Sequence, residues 1–141
     1  MIDFSIIVPC RDEEDNVEII LENIKKNCDY QNYEIIFIDD YSKDNTLNKL
    51  KEFSAKHQNT FYYINKKKGL GGAISLGLKN ANGKYITIMM ADSADSIDDL
   101  NNYFKIIKEN KFDAIFGSRF IKGSKIVHYP KLKLFLNKIF N

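Results

Sequence analysis

The chain has only two cysteines, no long apolar run and almost no excess of charge. Each scarcity excludes something. Cys10 and Cys28 are too few and too far apart for a CxxC metal or redox motif, and they fit a reducing, cytosolic setting. Cys28 continues an apolar helical spacing and reads as a core residue. No apolar stretch approaches the ~20 residues of a membrane span. Asp3 and Ser5 interrupt the short apolar start, so no signal peptide is expected and the chain reads as soluble as given. A formal net charge of +2 gives no reason to invoke nucleic acid, and no DNA- or RNA-binding signature is present. His57 and His128 are the only histidines, and no Ser/His/Asp or Cys/His set can be assembled from the sequence.

What is present is one domain's length of ordinary globular chain, 141 residues with 44% hydrophobic and 28% charged side chains. SIIVP at 5–9 is an apolar run ended by proline and predicts a buried strand. Val17, Ile20, Ile24 and Cys28 then recur at helical spacing, with Asp12 or Asp15 available as a cap. YEIIFIDD at 33–40, TFYYIN at 60–65, KYITIMM at 84–90 and FDAIFGS at 112–118 predict four further strands. Between them lie helices marked by Leu47, Leu50 and Phe53, by Ile74, Leu78 and Ala81, and by Ile97, Leu100, Phe104 and Ile107. Alternating strands and helices, with strands apolar throughout, predict a mostly parallel α/β sheet covered on both faces.

In such sheets ligands bind beyond the carboxyl ends of the strands. Those ends carry PCRDEE, DDYSKD, NKKKG, ADSAD and GSRF, and their charge points to a phosphate-bearing ligand. GLGGA at 69–73 is not a dinucleotide fingerprint, because it follows the third strand rather than the first. It is a helix start that can favour an anion, and it leaves open whether Gly72 and Gly77 serve a ligand or close packing. Asp39 and Asp40 are adjacent at a strand end, so only one can face the crevice. Ser42, Asp44 and Asn45 read as turn and cap residues. Arg119 follows the fifth strand with a guanidinium suited to phosphate. In MMADSADSIDDL at 89–100, Asp98 and Asp99 read as first-turn helix acids, while Asp92 and Asp95 precede them at a strand end. The tail YPKLKLFLNKIFN is too apolar around its circumference for a solvated helix. It predicts a chain cut short, with residues 130–141 facing missing protein, another subunit or a membrane surface.

Taken in order, these segments resemble the family-two glycosyltransferases of the GT-A fold, nearest to dolichol- or polyprenyl-phosphate mannosyl- and glucosyltransferases. SIIVPCRDEEDN is similar to the family's SVxxPxYNEExN, and YEIIFIDDYSKDNT to YEIIxxDDGSxDGT. KKKGLGGAISLGLKNANGKYI is similar to KxGLGxAxxxGxxxAxGxYI, MMADSADSIDDL to MDADLSHxPxxI, and FDAIFGSRFIKG to FDxVxGSRYxxG. The resemblance spans nearly the whole chain. It implies a GT-A (Rossmann-like) three-layer sandwich, with a nucleotide-sugar-binding domain over 1–120 and the start of an acceptor or interface region over 121–141. It also implies inverting transfer of a sugar from a GDP- or UDP-linked donor, with a polyprenyl or dolichyl phosphate as acceptor, in cell-envelope glycan synthesis at the cytoplasmic face of a membrane.

Carried over, the resemblance assigns Pro9, Arg11, Glu13, Ile38 and Asp40 to the donor nucleoside. Arg11 stands where the family has tyrosine, and Asp12 where it has asparagine. Met90, Ala91 and Asp92 occupy the DxD positions, whose carboxylates ordinarily share a Mg²⁺ or Mn²⁺ ion; Ala94 falls where a polar third ligand is frequent. Met90 cannot serve, since a thioether is a soft ligand for a hard cation. Asp92, with Asp95 as the nearby substitute, is the expected metal ligand. Asp92 and Arg119 are the expected catalytic residues, and Arg119 and Lys133 the acceptor-phosphate contacts. Met90 and Ala94 equally suit a second reading, a non-catalytic module that holds nucleotide or a protein partner. Nothing in the sequence excludes an oligomer.

Overall fold

Four apolar segments form strands: β1 (Phe4–Cys10), β2 (Tyr33–Asp39), β3 (Thr60–Ile64) and β4 (Tyr85–Ile88). Helices α1 (Val17–Asn27), α2 (Thr46–Lys56), α3 (Leu70–Asn80) and α4 (Ile97–Lys108) alternate with them. This is a computed structural model, and it describes residues 2–92, 94–109 and 111–117. The sheet order is β3-β2-β1-β4 and every pairing is parallel, with Phe4 opposite Tyr33 and Tyr85, and Cys10 opposite Asp39. The expected α/β class and parallel sheet are therefore observed.

β1 is flanked on both edges and buried along its whole length. Its alternation divides the core in two. Phe4, Ile6, Val8 and Cys10 face a large cluster with Val17, Ile20, Leu21 and Ile24 of α1, Leu50 and Phe53 of α2, and Leu100 and Phe104 of α4. Phe104 stacks on Phe4 with ring centroids 3.7 Å apart, which docks α4 on the sheet. On the opposite face Ile7 joins Ile36, Ile38 and Ala73 beneath α3. That approach is close: a Cβ on Gly77 would lie 2.4 Å from Ile7 Cγ2, and one on Gly72 would lie 2.0 Å from the Lys67 carbonyl oxygen. Close packing is thus the reason for both glycines.

A buried polar device closes the amino-terminal end of the sheet. Glu34 is fully buried on β2, and its Oε1 accepts from the Ser5 hydroxyl at 2.5 Å and from Asn82 N at 2.6 Å. Ser5 Oγ in turn accepts from Gly83 N at 2.8 Å, so β1, β2 and the turn into β4 share one network. A buried carboxylate is tolerable only when its acceptors are satisfied in this way.

Four expectations differ from the structure. Residues 112–117 carry no strand pairing, and Phe116 is exposed; Ser118 lies outside the described residues. β4 ends at Ile88 and its Ile86 and Ile88 are each 43% exposed, because α3 lies over β1 and β2 and no described helix covers β4 there. Leu78 is 47% exposed; the face of α3 against the sheet is Ala73 and Gly77, small residues that let the helix approach. Neither Asp12 nor Asp15 caps α1, whose N-cap position is Asn16 without a side-chain cap bond. By contrast α4 has Ser96 Oγ accepting from Asp98 N, with Asp98 and Asp99 in its first turn as expected.

Replacing Gly77 by valine drives methyl groups into Ile7 on the central strand. Thermal melting should show a loss of about 1–3 kcal/mol, the usual cost of overpacking a filled core; an unchanged midpoint would mean that α3 can lift away freely.

Candidate functional site

The carboxyl ends of β1, β2 and β4 lie side by side, and the loops that leave β1 and β2 are tied together. Asp12, in left-handed conformation at φ 55°, donates its N–H to Ser42 Oγ at 3.1 Å, and its Oδ1 accepts from Lys43 N at 2.6 Å. Glu13 N donates to Thr46 Oγ1 at 2.9 Å, and Glu14 N to Asp44 Oδ2 at 3.0 Å. Glu14 Oε2 accepts from Asn45 N at 2.7 Å, while Lys49 Nζ reaches the Glu14 carbonyl at 2.6 Å. Ser42, Asp44 and Asn45 therefore do more than make a turn: they brace the first loop with the second. Burial raises the Asp44 pKa, but hydrogen bonds from Thr46 and Glu14 outweigh it and hold the carboxyl below its ordinary value.

The two carboxylates at the end of β2 have different tasks. Asp40 is buried, and its Oδ1 accepts from Asn65 Nδ2 at 2.7 Å and Gly69 N at 2.9 Å. It thereby fixes the loop that opens α3, and Arg11 Nη1 stands 4.0 Å from its other oxygen. Asp39, only 3% exposed, lies beside Cys10, and its Oδ1 has no hydrogen-bond partner among the described residues. The resemblance assigned Asp40, whereas alternation alone could not say which of the pair was already committed to the chain. Burial, then the negative charges of Glu13 and Asp39, push the Cys10 thiol far above its ordinary range, so it remains protonated. Tyr41 replaces the glycine of the resembling pattern yet keeps a left-handed φ of 62°, and its hydroxyl donates to the Lys66 carbonyl at 3.0 Å.

Beyond β4 the acidic loop folds on itself. Asp95 Oδ2 accepts from Met90 N at 2.8 Å, and Asp92 Oδ1 accepts from Ala94 N at 3.0 Å. Both carboxylates are exposed, and each keeps one oxygen with no bond to the described residues. Asp95 also lines a cavity of about 260 Å³ between α1 and the start of α4, with Asn23, Asn27 and Asp98. Among the described residues no group of three or more His, Cys, Asp or Glu side chains gathers to hold a metal ion. Two hard oxygens on one loop still fit Mg²⁺ or Mn²⁺ bound mainly through phosphate oxygens and water.

Of the remaining candidates, Arg11 is exposed at the mouth of β1, and Glu13 Oε2 accepts from Asn16 Nδ2 at 2.7 Å. Pro9 is buried in β1. Ile38 and Ala91 have side chains in the core, so neither side chain faces the crevice. Met90 is half-buried. Arg119, Lys133 and the 130–141 segment lie outside the described residues.

The family pattern of Glycosyl transferase family 2 matches residues 5–141. A dolichol-phosphate mannosyltransferase of Pyrococcus furiosus is 33% identical over 134 residues, which is 95% of this chain and 38% of that protein. A dolichyl-phosphate beta-glucosyltransferase of Dictyostelium discoideum is 31% identical over 129 residues, covering 82% and 39%. The chain thus spans less than half the length of the curated relatives it matches. Among solved structures, S. aureus TarS in complex with UDP superposes with a TM-score of 0.65 at 25% identity, over 77% of this chain and 32% of that one. The mannosyltransferase PcManGT of Pyrobaculum calidifontis, in complex with GDP-Man and Mn²⁺, gives 0.64 at 26% identity, over 72% and 31%.

The Asp44 brace has a pH signature. A lowered folded-state pKa contributes stability that is present above the ordinary aspartate value and is lost as pH falls through the folded one. The difference in urea midpoint between wild type and Asp44→Ala should be largest near neutral pH and shrink below about pH 4. A difference that holds constant down to acid pH would mean that Asp44 acts only through packing.

Proposed function

The chain belongs to Glycosyl transferase family 2, with the GT-A fold; from that premise we propose that it forms the donor-binding part of an inverting glycosyltransferase. Its donor is a GDP- or UDP-linked sugar and its acceptor a polyprenyl or dolichyl phosphate. In this reading residues 1–120 are the donor domain, and residues 121–141 begin the acceptor or interface region. The observation that carries it is the pair of braced loops at the carboxyl ends of β1 and β2, with Arg11 4.0 Å from Asp40, Asp39 next to it, and Asp92 on the loop beyond neighbouring β4. The relatives that act on dolichyl phosphate, and the neighbours bound to UDP and to GDP-Man, support the choice of substrates.

Nucleoside recognition falls to the end of β2. Among the described residues Asp39 Oδ1 is a buried acceptor without a donor, and an N–H or O–H of base or ribose would satisfy it. Asp40 acts with it by holding the Asn65–Gly69 loop, and Arg11 faces the same end with a charge suited to phosphate. Asp92 and Asp95 would hold a Mg²⁺ or Mn²⁺ ion, which supplies electrostatic relief for the charge that builds on the departing diphosphate. An oxygen of the acceptor phosphate forms the new bond to the anomeric carbon from the opposite side. The bond from that carbon to the diphosphate breaks, and its electron pair leaves with the nucleoside diphosphate. A lipid phosphate has its second pKa near ~6 and is already an anion, so this step needs no general base. Arg119 and Lys133 are assigned to that phosphate. Membrane association at the cytoplasmic face follows from such an acceptor; among the described residues no helix is long and apolar enough to cross a membrane.

A second reading keeps the fold and drops the transfer. Met90 in place of a DxD carboxylate favours a binding module without turnover. Transfer of radiolabelled sugar to polyprenyl phosphate by the full-length protein is the expected result, and binding without transfer would move the conclusion to the module. In calorimetry the chain should bind a GDP- or UDP-sugar more tightly with Mn²⁺ present. Asp92→Ala should remove that gain, a loss of roughly tenfold or 1.4 kcal/mol; a gain that survives the substitution would place the cation elsewhere.

A further inference from the structure

Between Glu52 and Asp92 the sequence contains no aspartate and no glutamate, yet it holds Lys56, Lys66, Lys67, Lys68, Lys79 and Lys84. The fold gathers part of this block at the open edge of the sheet. A cavity of about 580 Å³ lies beside β3 and α3, lined among others by Asn65, Lys66, Lys67, Ser75 and Lys79. Among the described residues, none of Lys66, Lys67, Lys68 or Lys79 has a carboxylate within ion-pair distance. The carboxylate tied to this loop, Asp40, is buried and committed to Asn65 and Gly69. Around the lysines stand Ile64 and Leu70, each 49% exposed, and the exposed Tyr41, whose hydroxyl bonds the Lys66 carbonyl.

Uncompensated lysines among exposed aliphatic and aromatic side chains are the surface chemistry of a peripheral membrane contact. Ammonium groups seek anionic headgroups, while aliphatic and aromatic side chains enter the boundary beneath them. We infer that the β3 edge and the start of α3 form a docking surface for an anionic lipid bilayer, with headgroup phosphates entering the Lys66, Lys67 and Lys79 cavity. The occupant follows from charge complementarity and from the apolar rim, for which a soluble anion has no use. The surface stands on charge and exposure, not on the donor reading, although it would carry the crevice close to a lipid-borne acceptor, because Asp40 and Asn65 join the two.

Sedimentation with phosphatidylcholine vesicles, with and without phosphatidylglycerol and in the absence of nucleotide, tests the surface directly. The chain should sediment only with the anionic vesicles, and added salt should weaken the partition without abolishing it. Exchanging Lys66, Lys67 and Lys79 together for glutamate should weaken the partition at least about tenfold. An equal charge change at the exposed Lys26, Lys51 and Lys105, on α1, α2 and α4, should cost far less. Leu70→Ser should weaken binding at low and high salt alike. Circular dichroism checks that each variant is folded, and Lys67→Gln serves in place of the triple exchange if that one is not. Three results would overturn the assignment: no preference for anionic vesicles, equal losses from the two triple exchanges, or capture of inorganic pyrophosphate at these lysines with no vesicle binding.

Discussion

Everything in this fold depends on β1 being a central strand with no free edge and no free face. A parallel sheet covered by helices leaves its middle strand mainly apolar contacts and ladder hydrogen bonds, with the Ser5 hydroxyl the polar exception on β1. Charge is then excluded from the body of the sheet and gathers where the strands end. One end holds Arg11, Asp39, Asp40 and the acidic loop after β4; the other holds the fully satisfied Glu34 network. The division of chemistry between the two ends follows from burial before any function is considered.

The first loop shows how such a site acquires shape. Its backbone N–H groups at Asp12, Glu13 and Glu14 donate to side chains of the second loop, and side chains of Asp12 and Glu14 accept in return. Reciprocal bonds of this kind fix both loops at once, so that each prepays part of the other's ordering entropy. Asp40 extends the frame to a third loop through Asn65 and Gly69. Three loops from three strands are thus tied into one frame.

Much of this was legible in the sequence, and the misses have physical causes. The two inner strands, β1 and β2, were plain from apolar runs, since burial on both faces leaves nothing else to read. Ile86 and Ile88 belong to the same kind of run, but an apolar run records only what a strand can bury. Leu78 misled for a related reason: helical spacing identified an apolar stripe, whereas the close approach of α3 is made by Ala73 and Gly77. At the site, motif order located the loops correctly. It could not show that Asp40 is spent on the chain itself while Asp39 is not, because hydrogen-bond partners twenty-five and more residues away leave no local mark.

The Glu34 network also bears on how the chain reaches this state. Its bonds join residues 29, 48 and 78 positions apart. No local segment can form it, and loop-closure entropy opposes it until β1, β2 and the Asn82–Gly83 turn are all in place. During synthesis the β1–β2 pair emerges well before its last donors do. Until Gly83 leaves the ribosome, a sheet that closed early would bury a carboxylate with too few partners. The network is therefore complete only when both halves of the sheet are in place.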